Sequence, residues 1–300
     1  MSKSVNAPLL LTLFLFYSSR AVYGSAPDSP ALGDNTSLNG IIQLKYPVIL
    51  VHGIMFHDRQ FPIDVWGRIP EILRRDGVKV YFGNTDAWGD YRSNAELLKA
   101  TLDQVLEENQ TTKVNIIAHS KGGIDSRYLI WRYGYGDKVA SLTTINTPHQ
   151  GAELADLVYS QRFMHTLLSK RGLEFFGQIY GDKNPDMYSL LFQLTTEHMK
   201  AFNQVVVLDE AVYFQSYYSS MITAFEYPAY FFTHLYILTV GGSNDGIVSE
   251  ASAAWGPNAR KIPGNLSHTD MVDMRKELKR GINIPKLYQD IIRDLAERGF

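Results

Sequence analysis

From Tyr46 onward, short apolar runs alternate with stretches whose apolar residues recur every three or four positions. Tyr46–Val51 (YPVILV), Val78–Phe82, Lys113–Ala118, Val139–Ile145 and Leu235–Val240 read as strands, with a short final strand over Arg260–Ile262. Runs apolar on both faces suit a parallel sheet covered by helices on each side. Between them, Ala95, Leu98, Leu102, Val105 and Leu106 keep the spacing of one helix face, predicting a helix over 93–108. Residues 122–133 and 286–298 carry the same signal. Strand–helix alternation of this kind predicts an α/β chain built on a doubly wound, mostly parallel sheet.

The stretch 151–233 breaks the rhythm and is too long for a simple crossover, so it reads as a cap or lid inserted between the fourth and fifth strands. It ends in a dense set of rings, from Tyr213 and Phe214 to Phe231 and Phe232. Such rings either fill the core between cap and sheet, or line a pocket or sit on a mobile lid.

Residues 1–26 read as a signal peptide: Lys3 precedes the apolar run Pro8–Tyr17, and Gly24, Ser25 and Ala26 offer a cleavage site. A retained N-terminal anchor is the alternative. A mostly apolar run of ten residues is too short to span a bilayer, so the mature chain is expected to carry no transmembrane span. Residues 27–44 follow as a Ser/Pro/Gly/Asn-rich linker, and 45–300 form the folded domain. A signal peptide implies a secreted, extracellular protein. Of the 300 residues none is cysteine, which excludes disulfides, thiolate metal sites and cysteine nucleophiles. A net charge of −2 gives no polybasic surface for nucleic acid or anionic membrane. Sequons for N-glycosylation occur at Asn35, Asn109 and Asn265.

The strongest chemical signal is Ala118-His119-Ser120-Lys121-Gly122-Gly123, placed after a strand and before a helix. A nucleophile elbow needs that context, with small residues two before and two after the serine. A serine nucleophile requires a base. Among eight histidines, His268 lies in a loop after the last strand, where this fold places its base. The orienting acid should follow a strand between the two. Asp245, in Asn244-Asp245-Gly246 after Leu235–Val240, meets that condition, although the same tripeptide favours a turn. Two backbone amides are expected to form an oxyanion hole: Lys121, just after the nucleophile, and Ile54 after His52-Gly53, with Met55 as second choice. His52 reads as a loop-holding residue and His119 as a packed neighbour.

Four segments together resemble the bacterial triacylglycerol lipases of the α/β-hydrolase superfamily. They are Tyr46–Asp58 (YPVILVHGIMFHD), Lys113–Arg127 (KVNIIAHSKGGIDSR), Ile145–Asp156 (INTPHQGAELAD), and Asn244–Val248 with His268–Asp270. The resemblance implies ester hydrolysis through Ser120, Asp245 and His268, with oxyanion positions at Ile54 and Lys121. The expected substrate is a lipid or ester met at a lipid–water interface, and the chemistry needs no cofactor. An acyltransferase or a phospholipase would use the same triad, and a lipid-binding protein without activity would keep the fold. Two departures stand out. Ile54-Met55-Phe56 is bulkier than the Leu-Thr-Gly common at that loop. The structural calcium of many such lipases finds a match in Asp270, but no second Asp lies between Asp209 and Asp245. Asp270 otherwise reads as a first-turn acid capped by Ser267 or Thr269.

Overall fold

The computed structural model describes residues 40–58, 64–160, 177–178, 181–276, 278 and 281–300. The expected signal peptide, most of the linker and the Asn35 sequon lie outside these residues.

Six strands, β1 (Val48–Val51), β2 (Val80–Phe82), β3 (Val114–His119), β4 (Val139–Ile145), β5 (Tyr213–Tyr218) and β6 (Ala259–Lys261), form one sheet in the order β2-β1-β3-β4-β5-β6. Every neighbouring pair is parallel, with Val51 beside Ala118 and His119 beside Ile145. Alternation along the strands divides the core. Val48 and Leu50 pack with Ile117 against Trp66, with α1 (Ile69–Arg75) and with the C-terminal helix. Ile49 and Val51 pack with Ile116 and Ala118 against α2 (Tyr91–Asn109) and α3 (Gly122–Tyr133). This is the doubly wound α/β sheet that the periodicity implies.

Local signals start and stop the helices. The Asp90 carboxylate accepts the Arg92 and Ser93 amides and caps α2, which Gln110 closes in left-handed backbone (φ 49°). Helices α4 (Glu153–Tyr159), α5 (Met187–Gln193) and α6 (Thr196–Val205) pack Ala155, Leu190, Met199 and Phe202 with Trp88, Tyr91 and Ile124 as a third apolar cluster.

One strand assignment is corrected. Leu235–Val240 lies in a helix, α7 (Phe231–Val240), and the fifth strand is Tyr213–Tyr218, inside the stretch read as the cap. The sheet therefore returns before residue 233. The reason is polar content in a buried strand. Gln215 and Ser216 are buried, but Gln215 donates to Thr143 Oγ1 at 2.9 Å and Ser216 to the Trp255 carbonyl at 2.8 Å. Conversely, the apolar run 235–240 leaves Leu235, Leu238 and Val240 exposed, and Gly241 and Gly242 both return amides to the Ile237 carbonyl to end the helix. The remaining helices are the short α8 (Glu250–Ala253) and α9 (Ile284–Glu297), begun by Asn283, whose side chain accepts the Lys286 amide, and Pro285.

Of the sequons, Asn265 is buried and its Oδ1 accepts the Ile222 amide at 2.5 Å, so a glycan there is incompatible with the fold. The core of α2 offers a direct check on the packing. Leu98 is fully buried against the sheet, so Leu98→Ala should lower unfolding free energy by about 2–5 kcal/mol. Urea denaturation would measure it; a loss well below 1 kcal/mol would contradict this packing.

Candidate active site

The site assembles at the carboxyl ends of β3 and β5, where the turn after β3 is forced into an uncommon conformation. Ser120 has φ 54°, left-handed backbone that a residue with a Cβ adopts only under constraint. The surroundings are cut to fit it. A Cβ on Gly122 would come within 2.4 Å of the His52 carbonyl oxygen, and one on Gly123 within 2.3 Å of Thr147 Oγ1. A Cβ on Gly53 would come within 2.7 Å of Ser120 Cβ. The small residues expected next to the elbow are thus joined by Gly53, which approaches from β1. Its signal was available in His52-Gly53 directly after a strand.

The three side chains singled out from the sequence meet here. Ser120 Oγ lies 2.9 Å from His268 Nε2, and His268 Nδ1 lies 2.7 Å from Asp245 Oδ2. All three residues are buried. An N–H on Nδ1 facing the carboxylate leaves Nε2 free to accept the serine proton. Asp245 Oδ1 accepts the amides of Ile247 (2.9 Å) and Val248 (2.8 Å). Asp245 does not follow β5 directly. The chain leaves the sheet, runs through two 3-10 turns and α7, and returns; the Met221 amide donates to the Asn244 carbonyl and closes the excursion.

His268 is gripped on several sides. Its amide donates to the Asp245 carbonyl, and its own carbonyl accepts from His119 Nε2 at 3.1 Å. Burial, reinforced by the nearby His268, holds the His119 imidazole well below the usual histidine range, so His119 packs beside the site as a neutral ring. The expectation for His52 also holds: Nδ1 donates to the Gly53 carbonyl and Nε2 sits 3.2 Å from Thr85 Oγ1.

The Met55 amide is committed to the Ala87 carbonyl, whereas no other described group engages the amides of Ile54 and Lys121. Asp270 Oδ2 accepts both the amide and the hydroxyl of Ser267, completing a capping box on the 3-10 turn His268–Val272. Among the described residues no group of three His, Asp or Glu side chains converges on a metal-sized point. The Asp270 carboxylate shapes the turn that begins with His268.

Three features lay beyond the sequence reading. Asn146, also left-handed (φ 48°), exchanges side-chain hydrogen bonds with Ser219 and joins the ends of β4 and β5. Lys121 turns its ammonium inward onto Asp125. Asp182 accepts the Ala87 and Trp88 amides and faces His57 Nε2 at 2.9 Å.

A parallel sheet carrying this serine turn, with a histidine and an acid behind it, defines the α/β-hydrolase fold. A family model described as palmitoyl protein thioesterase matches residues 47–231, and the chain belongs to that family. A triacylglycerol lipase of Pseudarthrobacter phenanthrenivorans is 37% identical over 172 residues, covering 53% of this chain and 53% of the relative. Triacylglycerol lipase 2 of Saccharomyces cerevisiae (strain ATCC 204508 / S288c) is 29% identical over 259 residues, 79% of this chain and 75% of its own. The chain thus spans about half the length of the bacterial relatives it matches. The resemblance to bacterial triacylglycerol lipases seen in the motifs is borne out. Among solved structures, a Staphylococcus hyicus lipase superposes with a TM-score of 0.67 at 18% identity, covering 91% of this chain and 98% of that one. The mature Bacillus licheniformis lipase BlEst2 gives 0.61 at 23%, covering 90% and 96%. Both share the fold.

The His57–Asp182 pair makes a pH prediction. The facing Asp182 carboxylate, aided by Asp86 and Asp58, raises the His57 pKa against the opposing effect of burial. A raised folded pKa adds stability that is complete below the unfolded value of about 6.5 and disappears as pH rises through the folded one. Wild type should therefore exceed His57→Gln in Tm at about pH 5 and converge with it above about pH 8. A gap that is constant with pH would contradict the pairing.

Proposed function

We propose that this chain is a serine hydrolase that cleaves carboxylic esters of lipids through an acyl-enzyme. The observation that carries this reading is the unbroken relay Ser120–His268–Asp245 at 2.9 and 2.7 Å, ending on a serine held in a left-handed turn. His268 Nε2 takes the hydroxyl proton as Ser120 Oγ attacks the ester carbonyl, and Asp245 keeps Nδ1 protonated and facing it. Negative charge on the carbonyl oxygen is met by the amides of Lys121, at the start of α3, and Ile54. When the tetrahedral species collapses, the alcohol leaves with the proton from His268. Water, deprotonated by the same imidazole, then attacks the acyl-serine and releases the carboxylic acid. The triacylglycerol lipases to which the chain is similar support lipid esters as the substrate class. No described helix is long and apolar enough to cross a membrane. The polar-flanked apolar run at residues 8–17 supports export of the chain, with 1–26 removed.

A second reading keeps the site and changes the bond. The matching family model is described as a thioesterase, and an acyl thioester would pass through the same acyl-serine. An acyltransferase or phospholipase would differ only in acceptor or lipid.

Hydrolysis of p-nitrophenyl esters from short to long acyl chains, beside acyl thioesters and phospholipids, tests the reading. Ester cleavage is expected, with Ser120→Ala reducing kcat by at least about 10⁴-fold. A fluorophosphonate should label Ser120, and a folded wild type that resists the label would sink the proposal. Asp245→Asn should leave binding nearly intact and lower kcat by about 10⁴-fold, because the imidazole loses the partner that fixes its tautomer. A small loss confined to KM would assign Asp245 to structure instead.

A further inference from the structure

Lys121 is an odd residue to find after the serine. Its ammonium is buried and lies 2.9 and 2.7 Å from the two oxygens of Asp125, one turn further along α3. Surface pairs of this spacing are common, but this one is withdrawn from water. Burial pushes the Asp125 carboxyl up, against the pull of Lys121 and of Asn94, which donates to Asp125 Oδ2 at 2.9 Å. A buried ion pair is seldom more stabilising than apolar residues of the same volume, so stability alone does not account for it.

Its connections point elsewhere. Asn94, also buried, donates to the Asp86 carbonyl at 2.9 Å and accepts the Asp86 amide at 3.0 Å. Asp86 belongs to the loop Thr85–Trp88. The same loop accepts the Met55 amide at Ala87 and meets His52 through Thr85, and so grips the turn that presents the Ile54 amide. The chain of contacts therefore runs from Lys121 through Asp125, Asn94 and Thr85–Trp88 to the turn after β1. The two amides that the hydrolase reading aims at the developing oxyanion come from the turns after β1 and β3, which touch where Gly53 meets Ser120, and the buried contacts tie the same two turns together a second time.

We propose that Lys121, Asp125 and Asn94 are positioning residues, a buried clamp that fixes the spacing of the Lys121 and Ile54 amides for the transition state. The inference rests on the hydrolase reading given above. It assigns the lysine side chain no contact with substrate; only its backbone amide faces the reacting oxygen.

The test uses the full-length protein and two variants. Lys121→Met with Asp125→Leu removes both charges and keeps apolar volume in their place, and Asn94→Ala cuts the link to the loop without touching a charge. For each, kcat and KM on a p-nitrophenyl ester are measured beside Tm and the inhibition constant of an alkyl boronic acid, whose adduct with Ser120 puts an oxygen at the oxyanion position. The clamp predicts kcat lower by about 10- to 100-fold with KM within about threefold, and boronate affinity weakened in step with kcat. A folded double variant with wild-type kcat and boronate affinity overturns the clamp; if that variant does not fold, the same readings on Asn94→Ala decide. Wild type that neither cleaves esters nor takes a fluorophosphonate would instead overturn the hydrolase reading, and the clamp's purpose with it.

Discussion

A left-handed turn at a residue that carries a side chain is the constraint on which the rest of the structure depends. Ser120 at φ 54° is unfavourable by itself and survives only because its neighbours leave no other path. Its amide is tied to the Ile145 carbonyl on β4, while Gly122 and Gly123 let α3 start against β1 and Thr147. Gly53 lets the β1 turn come into contact with the serine itself. The turn brings the hydroxyl to within 2.9 Å of His268 Nε2. Sheet order and glycine placement are thus parts of one geometric solution.

The partners of that serine arrive by different routes, and hydrogen bonds rather than apolar burial determine where they stop. The excursion from Met221 to Asn244 contains a helix and many rings, yet one amide–carbonyl bond brings its ends together and places Asp245 near the end of β5. The rings read as core or pocket lining divide accordingly. Tyr227 and Tyr230 are buried and hydrogen-bonded to Asn265 and Thr269 on the histidine turn, while Phe225 and Phe232 are exposed. On the other side, Asp270 folds the Ser267–Val272 turn so that His268 faces Ser120.

What sequence made legible follows from how local each signal is. The β3–turn–α3 unit could be read because apolar run, small residues and helix period lie within one stretch. Asp245 and His268, which meet Ser120 in the structure, could be singled out because loop residues between regular elements stand out. Strand β5 could not. Its Gln215 and Ser216 are satisfied by Thr143 and by the Trp255 carbonyl, partners that are distant in the chain and invisible to any window. The run 235–240 misleads for the converse reason: its apolar residues suggest a buried strand, but three of them face outward on a helix that glycines terminate. Gly53, Asn146 and the Lys121–Asp125–Asn94 contacts share this character, since each acts through an approach between separate elements.

The loop Thr85–Trp88 shows why such approaches cluster at this end of the sheet. Asp86 accepts the amides of Lys183 and Asn184, while Asp182 accepts those of Ala87 and Trp88, so two segments far apart in sequence each cap the other's backbone. Buried backbone donors must find acceptors, and irregular loops cannot supply them by ladder pairing. Carboxylates placed reciprocally do so with short, charge-assisted bonds. Because the same loop also holds the His52–Met55 turn and Asn94, a shift in the 182–186 segment cannot stay local: it must pull on the turn that follows β1. Helices α4 to α6 and the site are therefore joined through polar backbone capping as well as through the apolar cluster of Trp88, Tyr91 and Leu190.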